Sequence, residues 1–308
     1  MKNIFLFLII SFFLFSCKGT KEKKERKCDL STLQFRGKVK SVTQYRYGCI
    51  DSSGQVLKSK FYTTFLKFDK KGNYLEKTTK NQDDSIISYD IYYYDTNENL
   101  IKDSFKTKKK QGLANILHDK KGNIIEIDFY KSNGNAVERE IIEVYKVDEN
   151  GYRTEHDTYC GNKDTLHYKE YIKNNTNGLE IEVIKVNNRG IIISTVNKAY
   201  DEKGNQTDYK LFKRDTLKTE IRHKYDDKGN NTEWCTFNNG KLEVKWTNTY
   251  DKNGTLVEST GFKADSSSSH NFTIHFENFD KEGNWLKWVE MKDGKPIEIK
   301  ERTIEYYP

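Results

Sequence analysis

The sequence predicts an all-β fold, an antiparallel meander of ~25-residue β-hairpin repeats forming an elongated, curved or rolled sheet. Three observations predict it. Tyr200-Asp201-Glu202-Lys203-Gly204-Asn205 recurs as Tyr225-Asp226-Asp227-Lys228-Gly229-Asn230 and Tyr250-Asp251-Lys252-Asn253-Gly254-Thr255, with the glycines 25 residues apart. Between these copies apolar and charged residues alternate with a period of two. No stretch holds a helical period, and the only prolines are Pro296 and Pro308.

The recurring motif has a local mechanism. Asp at the first position of a type I turn accepts backbone N–H groups further along, and Gly supplies the left-handed residue that closes the loop in a G1 bulge. Each copy therefore reads as a hairpin tip, with the aromatic ending the incoming strand. An acidic residue sits four positions after the Gly in Glu76, Glu126, Glu138, Glu155, Glu182, Asp208, Glu233 and Glu258. Spacing by whole hairpins and alternation with lysine favour cross-strand charge pairing there over a row of catalytic carboxylates or calcium ligands.

Along the chain, Lys2 precedes twelve residues, Ile4 to Phe15, in which only Ser11 is polar. That run is too short to span a bilayer as a helix and reads as the core of a secretory signal, residues 1–16. It ends in Leu14-Phe15-Ser16-Cys17, which resembles the lipobox of bacterial lipoproteins. The resemblance makes Cys17 the lipidated N-terminus of the mature chain and a membrane its partner through that lipid. The other reading is an ordinary cleaved signal with Cys17 incidental.

Residues 17–32 follow as the lipidated Cys and a basic tether. Lys18 to Lys27 lack any apolar residue and carry six basic and two acidic groups, whereas residues 29–308 hold 46 basic and 44 acidic. The basic balance thus belongs to the tether, and the folded part offers no footprint for nucleic acid. Beside a lipid the tether would lie on anionic headgroups; alternatively it is only a solvated spacer.

The repeat domain is expected over 33–308. Tips are predicted at Asp51 to Gly54, Asp69 to Gly72, Asp95 to Glu98, Asp119 to Gly122, Asp148 to Gly151 and Asn175 to Gly178. The three regular copies and Asp280 to Gly283 complete the set. Return turns at Asn133-Gly134, Gly161 to Asp164, Arg189-Gly190, Lys213 to Asp215, Asn239-Gly240, Asp265 to Ser269 and Asp293-Gly294 bring the count to roughly twenty short strands. Leu217, Thr219, Ile221, His223 and Tyr225 share one face against Lys218, Glu220, Arg222 and Lys224; Leu242, Val244, Trp246 and Tyr250 oppose Lys241, Glu243 and Lys245. One face of the sheet is apolar and aromatic, the other charged.

The aromatic-Asp-x-x-Gly-Asn tips resemble the YD repeats of Rhs-type and teneurin-like proteins, and the hairpin repeats of lipoproteins from Bacteroidetes-type bacteria. The usual Arg before the Tyr pair is absent and the unit is longer, so the Rhs role, a shell around a cargo, is not carried over. The resemblance implies an extracytoplasmic scaffold in the cell envelope, lipid-anchored to a membrane, with the outer membrane expected and the periplasm or cell surface faced.

Catalytic signatures are missing: no Gly-x-Ser-x-Gly, no His-Glu-x-x-His, no phosphate loop and no dinucleotide pattern occurs. The expectation is a non-enzyme with no cofactor and no metal. His118 substitutes for a tip aromatic. His156, Cys160 and His167 flank one turn, with Thr158 expected opposite His167, but three residues fall short of a four-ligand zinc site. Cys160 and Cys235 lie three units apart and are expected as free thiols, with Cys28 to Cys49 the plausible bridge. Two function classes remain. Trp234, Trp246, Trp285 and Trp288 could bind a glycan or an envelope protein on a curved face, or the same residues fill the sheet of an accessory lipoprotein with no small ligand.

Overall fold

The structure, a computed structural model, describes residues 29–33, 35–52, 55–107, 110–133, 136–252, 254–264 and 269–308. The signal, Cys17, Cys28 and most of the tether lie outside the described residues. The chain opens with a four-residue helix, α1 (Asp29–Thr32), followed by β1 (Val39–Ser52), β2 (Gln55–Phe68), β3 (Tyr74–Lys80), β4 (Ile86–Tyr94) and β5 (Leu100–Thr107). Then come β6 (Gln111–His118), β7 (Ile124–Asn133), β8 (Ala136–Val147), β9 (Arg153–Cys160) and β10 (Leu166–Asn174). The regular units supply β11 (Glu180–Asn187), β12 (Ile192–Tyr200), β13 (Gln206–Lys213), β14 (Thr216–Tyr225), β15 (Asn231–Asn238) and β16 (Lys241–Tyr250). The last four are β17 (Leu256–Ala264), β18 (Ser269–Phe279), β19 (Trp285–Lys292) and β20 (Lys295–Tyr306).

Every strand pairs antiparallel with the next, and β1 also pairs with β20, placing Val42 opposite Ile304, Gln44 opposite Arg302 and Arg46 opposite Lys300. The meander is therefore closed into a barrel, where an elongated, curved or rolled sheet was expected. A twenty-stranded open sheet would leave two rows of unpaired N–H and C=O groups, and closure satisfies both. Bulges bend the wall toward closure: the register shifts between Lys224 and Tyr225 at one end of β14 and between Leu211 and Phe212 at the other end of that unit, and most hairpins repeat one or both shifts.

Nine Asx-type turns line one mouth. In each, as at Asp226, the first residue's N–H donates to the fifth residue's carbonyl (3.0 Å to Asn230) and the fourth residue's N–H, from Gly in all but the Asp95 turn, where it is Glu98, donates back (2.9 Å at Gly229). Gly229 holds φ at +86°, the left-handed value that favours glycine. Adjacent tips are laced together: Lys203 Nζ donates to the Asp227 carbonyl at 2.5 Å and Lys121 Nζ to that of Glu149 at 2.9 Å. Asp51 and Ser52, expected at a tip, instead end β1 paired with Val56 and Gln55, at the end of the wall opposite the tip row that Asp69 to Asn73 begins; residues 53–54 lie outside the described residues. Asn81 to Ser85 forms a turn of the same kind at the return end, with Asp84 in the left-handed region, a site the motif search did not pick out.

The N-terminal segment completes the rim. Leu30 is buried against Val39, Val42 and Phe68, its N–H donates to the Gly72 carbonyl (3.0 Å), and Asp29 accepts the Tyr74 N–H (2.7 Å). Across the seam Asn284, only 5% exposed, accepts from Arg36 N–H (2.8 Å) and donates to the Arg36 carbonyl (2.9 Å). Asp29 and Leu30 thus belong to the folded part, upstream of the expected start near Leu33.

Followed through the registers, one face of the wall carries Val42, Tyr92, Phe129, Tyr145, Tyr209, Trp234, Trp246, Trp288 and Arg302. Burial pushes the phenols of Tyr92 and Tyr145 up and the Arg302 guanidinium down to about 9, which marks this as the inner face. Most inner side chains keep partial exposure, so they line the lumen without filling it. Two buried clusters, Leu30 with Val39, Val42 and Phe68, and Ala114 with Ile116, Ile127 and Tyr145, are local to neighbouring strands.

Candidate functional site

The barrel brings the four predicted tryptophans onto one inner surface. Trp234 stands opposite Trp246 across β15 and β16, their rings stacked at 6.4 Å with 19° between planes. Trp246 in turn lies over Gly261 of β17, where a Cβ would come within 2.4 Å of the indole; only glycine admits the ring so close. Phe272 follows at 6.5 Å, and Lys263 Nζ sits 4.3 Å above Phe272 and 5.5 Å above Trp246. Trp246 is 7% exposed, while Trp234 stays half-buried with a partly open edge.

On β19, Trp288 is 8% exposed and capped by Lys300 Nζ at 3.6 Å. Burial lowers the Lys300 ammonium despite Glu298 at 3.4 Å. Trp285 is half-buried, meets Phe276 edge-on at 5.8 Å and carries the Arg302 guanidinium 3.3 Å above its ring. Arg302 also donates to Gln44 Oε1 at 2.9 Å and approaches the Phe35 ring. The result is an aromatic strip threaded with cations, a surface that stacks flat or anionic groups.

Sequence reading missed these cations. Alternation in β20 gave no clear signal: Lys300 and Arg302 share parity with half-buried Ile304, while buried Ile299 lies on the other.

A second inner cluster lies in the less regular half. His156 Nδ1 is 3.0 Å from Glu170 Oε2, Tyr145 stacks on the imidazole at 4.6 Å and donates to Glu143 at 2.5 Å, and Lys185 lies 3.3 Å from Glu170 and 3.1 Å above Tyr168. Burial works against ionisation of Glu170, but His156 and Lys185 outweigh it and hold the carboxyl below its usual range. Thr158 faces Tyr168 and not His167 as expected, because the β9–β10 register shifts between Leu166 and Tyr168. Cys160 and His167 are exposed, so the three residues around this turn do not converge. No group of three or more metal-ligating side chains gathers among the described residues. Cys49, Cys160 and Cys235 are free thiols among the described residues, and the expected Cys28 to Cys49 bridge involves Cys28, which lies outside them. On β5, farther round the wall, Asp103 is pushed up to about 7 by burial and by its neighbour Asp90, which is itself raised by burial.

The acidic slot lies on the outer wall. Glu155 sits between Lys146 (2.9 Å) and Lys169 (3.0 Å), Glu233 between Lys224 and Lys245 (2.8 Å each), and Glu126 meets Lys163 at 2.7 Å. Glu155 and Glu233 thus each pair with lysines of both neighbouring strands, and Glu126 with a lysine of the β9–β10 turn.

Residues 215–303 match a family model described as "Uncharacterised protein". No curated protein matches the chain. Similar solved structures include a porin-like protein from Bacteroides uniformis, at 10% identity and TM-score 0.36, covering 88% of this chain and 98% of that one. A porin-like protein from Bacteroides vulgatus matches at 12% identity and TM-score 0.29 over the same shares. The TcdB2-TccC3-Cdc42 structure matches at 9% identity and TM-score 0.35, over 83% of this chain, which spans only 19% of that one. At TM-scores below 0.5 none of these likenesses bears on what the chain does.

Proposed function

We propose that the chain is a non-catalytic, envelope-anchored barrel that binds a glycan along its inner aromatic strip and is held to a membrane, the outer membrane by preference, through lipid on Cys17. The observation that carries the binding reading is the pair of half-open indoles, Trp234 and Trp285, on the same concave surface. Sugar rings stack on such faces, and a concave wall with neighbouring cations orients them.

The barrel stands in water in this reading. A lipid-facing wall tolerates Arg or Lys poorly, at roughly 2–4 kcal/mol each near the bilayer midplane. Here Lys169, Lys210 and Lys245 point outward, in ion pairs, along the middle of the wall, and Lys224 does so beside the tips.

The second reading, an accessory lipoprotein with no small ligand, draws on Trp246 and Trp288, whose faces are already covered by Trp234, Lys263 and Lys300. A glycan array with the 28–308 fragment, followed by indole fluorescence titration of each hit, separates the two. Binding that Trp234→Ala and Trp285→Ala both weaken supports the lumenal site; an array with no hit above background leaves the accessory reading.

A further inference from the structure

The outer wall of β4 to β8 differs from the rest of the barrel's exterior. Between two register rows, Tyr89–Lys106–Gln111–Ser132–Val137 and Ile91–Ser104–Leu113, lies a groove of about 280 Å³ lined by mostly apolar surface. At its edges Ile86 is 55% and Val137 59% exposed. Some outward lysines of the wall are neutralised across strands, as in Lys146 with Glu155 and Lys224 with Glu233. Lys106 lines the groove and Lys110 precedes its Gln111 in the chain; both are exposed, and among the described residues neither has a carboxylate within ion-pair distance.

We propose that this groove docks an acidic segment of a partner protein, with an apolar side chain seated between Ile91 and Leu113 and its carboxylates on Lys106 and Lys110. Apolar surface beside uncompensated cations fits a ligand that is apolar and anionic together. The chain's own tether is no candidate occupant, because residues 18–28 carry six basic groups against two acidic and would be repelled. Crossing five strands takes about 19 Å at ~4.8 Å per strand, the length of about six residues of extended peptide.

The test uses the purified protein and a fluorescein-labelled hexapeptide, Asp-Leu-Glu-Phe-Asp-Leu, read by anisotropy. Expected is one saturable site, weakened at least about tenfold by Lys106→Glu with Lys110→Glu and by Leu113→Glu, and weakened by salt. A matched Lys-Leu-Lys-Phe-Lys-Leu peptide should not bind, and Ile192→Glu, at another return turn, should change nothing. Circular dichroism keeps the Leu113 result interpretable, and the two-lysine variant stands without it. Absence of saturable binding, or equal binding by all variants, overturns the proposal. So does a concentration-dependent dimer in sedimentation velocity that Leu113→Glu abolishes, since the groove's occupant would then be a second copy.

Discussion

The phenol of Tyr225 donates to the carbonyl oxygen of Gln206 at 2.9 Å, tying one hairpin tip to the residue two past the glycine of the tip before it. Tyr200 does the same to Glu180 (3.0 Å) and Tyr250 to Asn231 (2.8 Å). This explains why the regular tips carry Tyr before Asp, and not any aromatic. The 25-residue step places each hydroxyl one unit from its acceptor.

Tyr225→Phe should keep the ring's packing and leave the Gln206 carbonyl without its donor. A loss of about 0.5–1.5 kcal/mol is expected, read as a lower midpoint in urea unfolding. The triple change at Tyr200, Tyr225 and Tyr250 should lose more, approaching the sum, because the acceptors are separate. An unshifted midpoint in the triple variant would mean water replaces the phenols at no cost.

Acid should unfold the barrel through its tips. Asp226 accepts from Asn230 Nδ2 and from the N–H groups of Asn230 and Lys228 at 2.8–2.9 Å, which holds its carboxyl below the usual range. Asp95 and Asp119 are lowered for the same reason, and in Asp201 the same bonds outweigh burial. With folded values below unfolded ones, the stabilisation is complete above the unfolded aspartate range near 4 and fades as pH falls through the folded values. Melting temperature should therefore drop below about pH 4, and Asp226→Asn should flatten that drop while leaving a lower plateau at neutral pH.

Asp103 should behave in the opposite sense. Burial first, and then the charge of Asp90, raise it to about 7. A raised folded value gives stability that is full below the unfolded range and lost as pH climbs through 7. Asp103→Asn should accordingly raise the melting temperature at pH 8 and leave it unchanged at pH 4. A variant equally affected at both pH values would show that packing, not ionisation, governs this part of the lumen.

The tips, strands and two-faced wall were legible because each depends on residues within a few positions: Asp and Gly for the turn, alternation for the faces. Closure was not, since it is made by residues 39–48 against 298–306 and no local pattern announces that pairing. The gathering of tryptophans on one surface was half legible. Trp234 and Trp246 share a face by counting from adjacent turns, but the cations over Trp285 and Trp288 come from a strand whose parity is shifted by a bulge between Glu290 and Met291. The inner charges around His156 and Asp103 were hidden by the irregular first half, where tip spacing departs from 25 and faces cannot be assigned by repeat.

The anchor is tested at Cys17. Cys17→Ala should remove the lipid acceptor and keep the secretory core, so labelling with a fatty-acid analogue should disappear while export continues. Undiminished labelling would refute the lipoprotein assignment.

Deleting Asp226 to Tyr250 removes one regular unit, β15 and β16, and joins Tyr225 to Asp251. The junction restores an aromatic-Asp tip, and the new partner of Lys224 is Glu258 in place of Glu233, the same slot. In-out parity is kept on both sides. A barrel closes only when strand number and shear agree, and each regular unit brings the same pair of bulges, so both fall together when a unit is lost. An eighteen-stranded barrel should re-form, weakened by the lost neighbour contacts and not abolished. The checks are a cooperative β-sheet melt at lower temperature and a smaller radius of gyration by X-ray scattering. An unfolded product would show that the seam between β1 and β20, held by Asn284 and the Leu30 cluster, fits only the full ring. Loss of the Trp234 and Trp246 stack in the same variant should also weaken any glycan found on the array, which links the architecture to the proposed site.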